Sequence, residues 1–203
     1  MMNKVMPVLV ATFFLNGCST QGLTLGGVGT VLGVGHAEIT GLSLFHDRRD
    51  TGTVITDEKI ETEATLALNI NEQIRRHVHF NITAFNGRLL ITGEVPIQTL
   101  MPQINSTLQQ VDDVKLVQNY MLLTPVASGS SRIYDGIITA KVKMAMASNP
   151  RLPGFDTTRI KVVTENGRVF LMGLVYEKEG QIATEAARQQ QGVKEVIKIF
   201  EYL

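Results

Sequence analysis

The most regular hydrophobic pattern in the chain is an alternation with a period of two that occurs twice. The run Thr83-Ala84-Phe85-Asn86-Gly87-Arg88-Leu89-Leu90-Ile91-Thr92-Gly93-Glu94-Val95 recurs 80 residues later as Val163-Thr164-Glu165-Asn166-Gly167-Arg168-Val169-Phe170-Leu171-Met172-Gly173-Leu174-Val175. Asn-Gly between two such runs predicts a hairpin with a type I′ turn, because both central residues of that turn need positive φ. Pairing outward from the turn sets Ala84 opposite Leu89 and Ile82 opposite Ile91; in the second copy Thr164 faces Val169 and Val162 faces Leu171. Glu165 then falls opposite Arg168, which predicts a cross-strand ion pair beside the turn.

Helical spacing flanks each hairpin. Ahead of the first, Ile60, Ala64 and Leu68 line one face, with Thr56 as the predicted N-cap and Asp57 and Glu58 in the first turn, where anions suit the helix dipole. Ahead of the second, Ile138, Val142 and Ala145 form the matching stripe, with Asp135 as the predicted cap. Behind the hairpins, residues 102–110 (Ile104, Leu108) and 177–190 (Ile182, Ala183, Ala186, Ala187) read as helices. Pro102 fits a first helical turn and would break an interior. Closing strands are expected around 114–123 and 193–202. The order is α-β-β-α-β, twice. The predicted class is α+β, each unit carrying helices on one face of a three-stranded mixed sheet and having its own core. The units are expected at 56–124 and 132–203, with 125–131 (including Ser128-Gly129-Ser130-Ser131) as a linker.

The amino terminus follows a different pattern. Lys4 precedes an apolar run of 11 residues, Val5 to Leu15, then Asn16-Gly17-Cys18. A spanning helix needs about 20 apolar residues, so residues 1–17 read as an export signal. Cys18 is the single cysteine, and its place resembles a bacterial lipobox, in which the thiol is lipidated and becomes the new terminus. The alternative is an ordinary signal peptide followed by an incidental cysteine. Beyond it lies a glycine-rich tract, Gly22 to Gly35, and then the polar loop Asp47-Arg48-Arg49-Asp50-Thr51-Gly52. Residues 18–55 read as a lipidated flexible tether.

Composition narrows the function. The net charge is zero and tryptophan is absent, so no basic field argues for nucleic acid. One cysteine excludes an intramolecular disulfide. Residues 56–124 carry a balance of −3 and residues 132–203 one of +3. No nucleophile elbow, phosphate loop or zinc spacing occurs, so no catalytic residue, no metal and no cofactor beyond the lipid at Cys18 is expected. His77 and His79, two apart, would share a strand face, but no third ligand is near them in sequence, and they read as solvated.

The order of these features resembles the BON domain: a leading Asp, a helix, Asn-Gly before a strand ending in Gly-x-Val, a helix, then Gly-Val-x-x-Val. Asp135, Asn166-Gly167, Gly173, Val175 and Gly192-Val193-Lys194-Glu195-Val196 match it best, whereas the first copy has Asp113-Val114 in place of Gly-Val. With the lipobox, the tether and the Asp-Arg-Arg-x-x-Gly loop, the chain resembles outer-membrane lipoproteins of Gram-negative bacteria that carry two BON domains. That resemblance implies a non-enzymatic role in envelope integrity and binding of anionic phospholipid through the second domain. Ser19, where an aspartate would retain a lipoprotein at the inner membrane, favours the outer membrane, facing the periplasm.

One helix stands out on its own residues. Tyr134, Ile137, Lys141 and Met144 fall at i, i+3, i+7 and i+10, a second stripe outside the core positions, with Lys143 beside it. An outward stripe that is apolar and basic suits an anionic bilayer surface. These five residues are the expected phospholipid-binding set, and the resemblance implies that Ile137 lies near the family's aromatic membrane wedge. The alternative is that the same face docks on the first domain or on a protein of the outer-membrane assembly machinery. The sequence sets no oligomeric state.

Overall fold

The structure is a computed structural model that describes residues 47–203. The signal segment 1–17, Cys18, the tract Gly22–Gly35, His36 and His46 lie outside the described residues. The first repeat comprises α1 (Thr51–Ile70), α2 (Glu72–His77), β1 (His79–Phe85), β2 (Arg88–Glu94), α3 (Leu100–Leu108) and β3 (Leu116–Asn119). The second comprises α4 (Gly129–Ala147), a 3₁₀ turn (Thr157–Arg159), β4 (Ile160–Glu165), β5 (Arg168–Val175), α5 (Glu177–Arg188) and β6 (Glu195–Tyr202). In each repeat the middle strand pairs antiparallel with the strand before it and parallel with the strand after the helix. The fold is α+β, built on two mixed three-stranded sheets.

The hairpin registers follow the sequence pattern, with Ala84 opposite Leu89, Ile82 opposite Ile91, Thr164 opposite Val169 and Val162 opposite Leu171. Asn86 and Gly87 have φ of 53° and 78°, and Asn166 and Gly167 of 54° and 77°, the left-handed pair a type I′ turn requires. Glu165 stands opposite Arg168 in register, yet the two do not pair: Arg168 Nε donates to Glu195 at 3.0 Å. The first copy's Asp113, in place of the second copy's Gly192, takes the same left-handed backbone (φ 66° against 97°).

Both leading helices begin earlier than expected. Asp50 caps α1 by accepting from the Thr53 amide, and Ser128 caps α4 by accepting from Ser131. Thr56 therefore lies inside α1, donating its hydroxyl to Gly52 O. The stretch read as a linker contains the first turn of α4, and the stretch read as a tether contains that of α1. Asp57 and Asp135 are likewise interior and buried. Asp57 accepts from the amides of Asn86 and Gly87, both at 2.8 Å, and Asp135 from those of Asn166 at 2.9 Å and Gly167 at 2.8 Å. Each aspartate clamps the turn of its own hairpin to its leading helix. These turn amides cannot pair across the strands, and a buried charge-assisted acceptor satisfies both.

Each repeat has its own core between helices and sheet. Ile60, Ala64, Leu68, Ile74, Leu89, Ile91, Ile104 and Leu108 form the first, and Val142, Met146, Ile160, Val169, Leu171, Ala183 and Ala187 are among those in the second. Met146, outside the predicted stripe, is fully buried, while Ala145 is only half-buried. A third cluster was not expected. Phe85 and Leu90 of the first sheet pack with Phe170, Met172 and Ile199 of the second. These side chains project from the sheet faces opposite the helices, so the repeats meet sheet against sheet in a helix–sheet–sheet–helix stack. The core expected in each repeat forms, and this third cluster joins the two: the second face of each sheet is apolar and is covered by the other repeat.

Polar contacts frame this shared face. Lys161 Nζ donates to Glu61 Oε1 at 2.8 Å and to Ala84 O at 2.9 Å. Asn86 Nδ2 donates to Glu201 at 2.7 Å, and reciprocally Asn166 Nδ2 donates to Glu94 Oε1. The Asp47–Asp50 segment straps both repeats. Arg48 forks onto Glu179 at 2.6 and 2.7 Å and stacks 4.7 Å over Tyr176. Arg49 reaches Asp47 and Asp57 and lies 3.9 Å over Phe85.

Candidate functional site

On α4, Ile138, Val142 and Met146 point into the core. A helix has 3.6 residues per turn, so residues 133, 134, 137, 141 and 144 emerge on another side. Ile133 and Tyr134 are each 68% exposed, Ile137 45% and Met144 67%. Lys141 is half-buried and Lys143 exposed. The structure thus brings all five sequence-predicted residues to one helix and leaves them outside both the cores and the repeat–repeat contact. That removes the alternative in which the stripe docks on the first repeat. Ile133 joins them. It was missed because the helix was started at Asp135; a start at Gly129 places Ile133 one turn before Ile137.

The first repeat supplies an internal comparison. Asp57 and Asp135 do the same job, so α1 can be aligned on α4 through them. Thr56, Lys59 and Glu63 of α1 then stand where α4 has Tyr134, Ile137 and Lys141. Lys59 is held by Asp113 at 3.2 Å and Glu63 at 3.8 Å. Ile55 and Leu66 of α1, both exposed, match Ile133 and Met144 of α4. The two faces differ at their centre, where the Lys59–Glu63 pair of α1 stands in place of Ile137 and Lys141, and among the described residues Lys141 forms no ion pair.

A second cluster of functional side chains lies between the repeats. His79 and Glu94 are directly opposite in the β1–β2 register, so both side chains leave the same face of the sheet. Glu165, at the end of β4, approaches from the other repeat, its Oε1 3.6 Å from His79 Nε2. The contact with Glu165 raises His79 above the ordinary imidazole value, and burial opposes it. His77 and His79 do not share a strand face as expected: His77 ends α2 and is exposed, while His79 begins β1 and is partly buried. At the strap, the Arg48 guanidinium holds the Glu179 carboxyl below the usual carboxylate range.

The BON domain pattern matches residues 56–125 and again 134–203. The chain belongs to the BON domain family. Its BON repeats extend the likeness to whole proteins. It is 33% identical over 202 residues to the outer membrane lipoprotein DolP of Haemophilus influenzae, covering 100% of this chain and 97% of that protein. It is 28% identical over 157 residues to a 21 kDa hemolysin of Actinobacillus pleuropneumoniae, covering 77% of this chain and 79% of the relative. The C-terminal domain of CdsD, a structural protein of the type III secretion system of Chlamydia trachomatis, is also similar, at 15% identity over 76% of this chain and 100% of that domain, with a TM-score of 0.25. Among the described residues, no helix of this BON protein is long and apolar enough to cross a membrane.

Proposed function

We propose that this BON protein is a non-enzymatic lipoprotein of the outer membrane that faces the periplasm, is anchored through lipid on Cys18, binds anionic phospholipid through α4, and supports envelope integrity. The observation that carries the binding site is the contrast at the centre of the two leading helices: same fold position, same buried aspartate and exposed apolar residues at the margins of both, but α4 presents Tyr134, Ile137 and Lys141 where α1 has Thr56 and the Lys59–Glu63 ion pair. The full-length likeness to a protein described as an outer membrane lipoprotein supports the location and the anchor.

Burying a large aliphatic side chain is worth about 1.5–3 kcal/mol, and each cation near an anionic surface about 1 kcal/mol. Partial insertion of Ile137 and Met144 flanked by two lysines gives weak, reversible, charge-dependent binding. The lipid anchor makes that sufficient by keeping α4 close to the bilayer. A fragment holding the second repeat alone would expose the Phe170 face, so the test uses residues 47–203. This fragment should sediment with anionic vesicles and stay in solution with zwitterionic ones. Ile137→Glu should weaken binding about tenfold to a hundredfold with unchanged circular dichroism, since Ile138 and not Ile137 enters the core. Normal binding by Ile137→Glu would show that this helix is not the lipid site.

Cys18→Ser should leave both repeats folded but release the protein from the membrane fraction in cells, because α4 alone holds weakly. Retention of that variant on membranes washed in high salt would place the anchor elsewhere.

A further inference from the structure

We infer that His79, Glu94 and Glu165 form a binding site for a divalent transition-metal ion of the zinc class at the contact between the two BON repeats. One ligand atom from each lies within 4.8 Å of the others. The ligands of a tetrahedral ion with bonds of about 2.0–2.1 Å sit about 3.3 Å apart. His79 Nε2 and Glu165 Oε1, at 3.6 Å, already approach that spacing, and small side-chain rotations bring the third ligand in.

The independent sign of a missing partner is at Glu94. This residue is fully buried, and its Oε2 has no hydrogen-bond partner among the described residues. Its other oxygen, Oε1, accepts from Asn166 Nδ2. One carboxylate oxygen is thus oriented by a neighbouring amide while the other is left free, as in carboxylates that ligate metals. Thr92, on the same face of β2, also has a buried hydroxyl with no hydrogen-bond partner among the described residues.

Charge points the same way. Glu94 is 0% and Glu165 6% exposed, and two adjacent buried carboxylates repel each other. Protonating His79 satisfies Glu165 but leaves Glu94 Oε2 unpaired. A divalent ion satisfies all three groups at once. One imidazole nitrogen with carboxylate oxygens suits zinc, with a position left open for water, better than calcium or magnesium, which prefer oxygen-only cages. Because His79 and Glu94 belong to one repeat and Glu165 to the other, the ion would pin the two sheets together. It would be structural rather than catalytic.

The test uses the full chain in detergent, stripped with chelator, loaded with zinc chloride and then dialysed. The wild type should retain one zinc per chain and unfold at a higher temperature than the stripped protein, since a ligand specific to the folded state stabilises it. Glu94→Gln and His79→Ala should each weaken zinc binding at least about tenfold, and zinc should no longer raise their unfolding temperatures. Glu94→Gln preserves the shape of the side chain and the oxygen that faces Asn166, so its stripped form should unfold at or above the wild-type temperature. Failure of the wild type to retain zinc overturns the inference. So does equal retention by both variants, which would assign the ion to the other histidines. Vesicle binding through α4 is read separately and does not depend on either outcome.

Discussion

Replacing Phe170 with alanine is expected to destabilise both repeats together, although the residue belongs to only one of them. Phe170 is fully buried in the cluster shared with Phe85 and Leu90. Its ring meets Tyr120 of the first repeat edge-on at 5.2 Å, and the Arg168 guanidinium lies 5.3 Å from its centre. Truncating a buried phenylalanine costs about 3–5 kcal/mol, against a total stability of about 5–15 kcal/mol for a domain. The variant should therefore unfold at much lower urea than the wild type, in one transition. Amide hydrogen exchange offers the sharper view: protection should fall in β2 as well as in β5. Loss of protection confined to the second repeat would mean that the shared face contributes little and that the two cores act alone.

The sheet–sheet contact was legible in part. A strand with one wet face alternates, but Leu89-Leu90-Ile91 and Val169-Phe170-Leu171-Met172 are continuous apolar runs, which signal burial on both faces. Reading the hairpins for their alternation alone hid that. The turns, the registers and the helix faces were legible because they depend on neighbours in sequence: φ at Asn-Gly, pairing outward from the turn, spacing of three and four. The helix starts were misread for a physical reason. An aspartate just ahead of an apolar stripe looks the same whether it caps the helix or lies inside it, and only the tertiary position of the hairpin turn gives Asp57 and Asp135 their buried role. The exposed stripe on α4 was readable from Tyr134 onward because it needs only helical phase. The His79, Glu94 and Glu165 cluster was not: His79 and Glu94 are cross-strand partners and could have been paired from the register, but Glu165 arrives from the other repeat.

The two aspartate clamps should not be equal. Both accept two turn amides at 2.8–2.9 Å. Asp57 has a further task, because it also neutralises Arg49, whose side chain is only 4% exposed. Asp135→Ala strands two amides, and hydrogen bonds to a charged group contribute about 1.5–3 kcal/mol, so a loss of about 3 kcal/mol is expected. Asp57→Ala strands the same amides and also strips one of two carboxylates from a nearly buried guanidinium; breaking a buried ion pair from one side costs about 3–5 kcal/mol by itself. Asp57→Ala should therefore be the more damaging change, with the first repeat failing to fold stably and Arg49 released from the Phe85 ring. Asp57→Asn tests the role of charge: its oxygen can still accept from one amide, but its NH₂ group then faces the remaining donors, so most of the loss should persist. Urea denaturation of the three variants measures this order directly. Equal losses for Asp57→Ala and Asp135→Ala would show that the Arg49 strap adds nothing to the fold, and a cost below about 1 kcal/mol for either, the worth of a single ordinary hydrogen bond, would show that the turns hold their shape without the clamp.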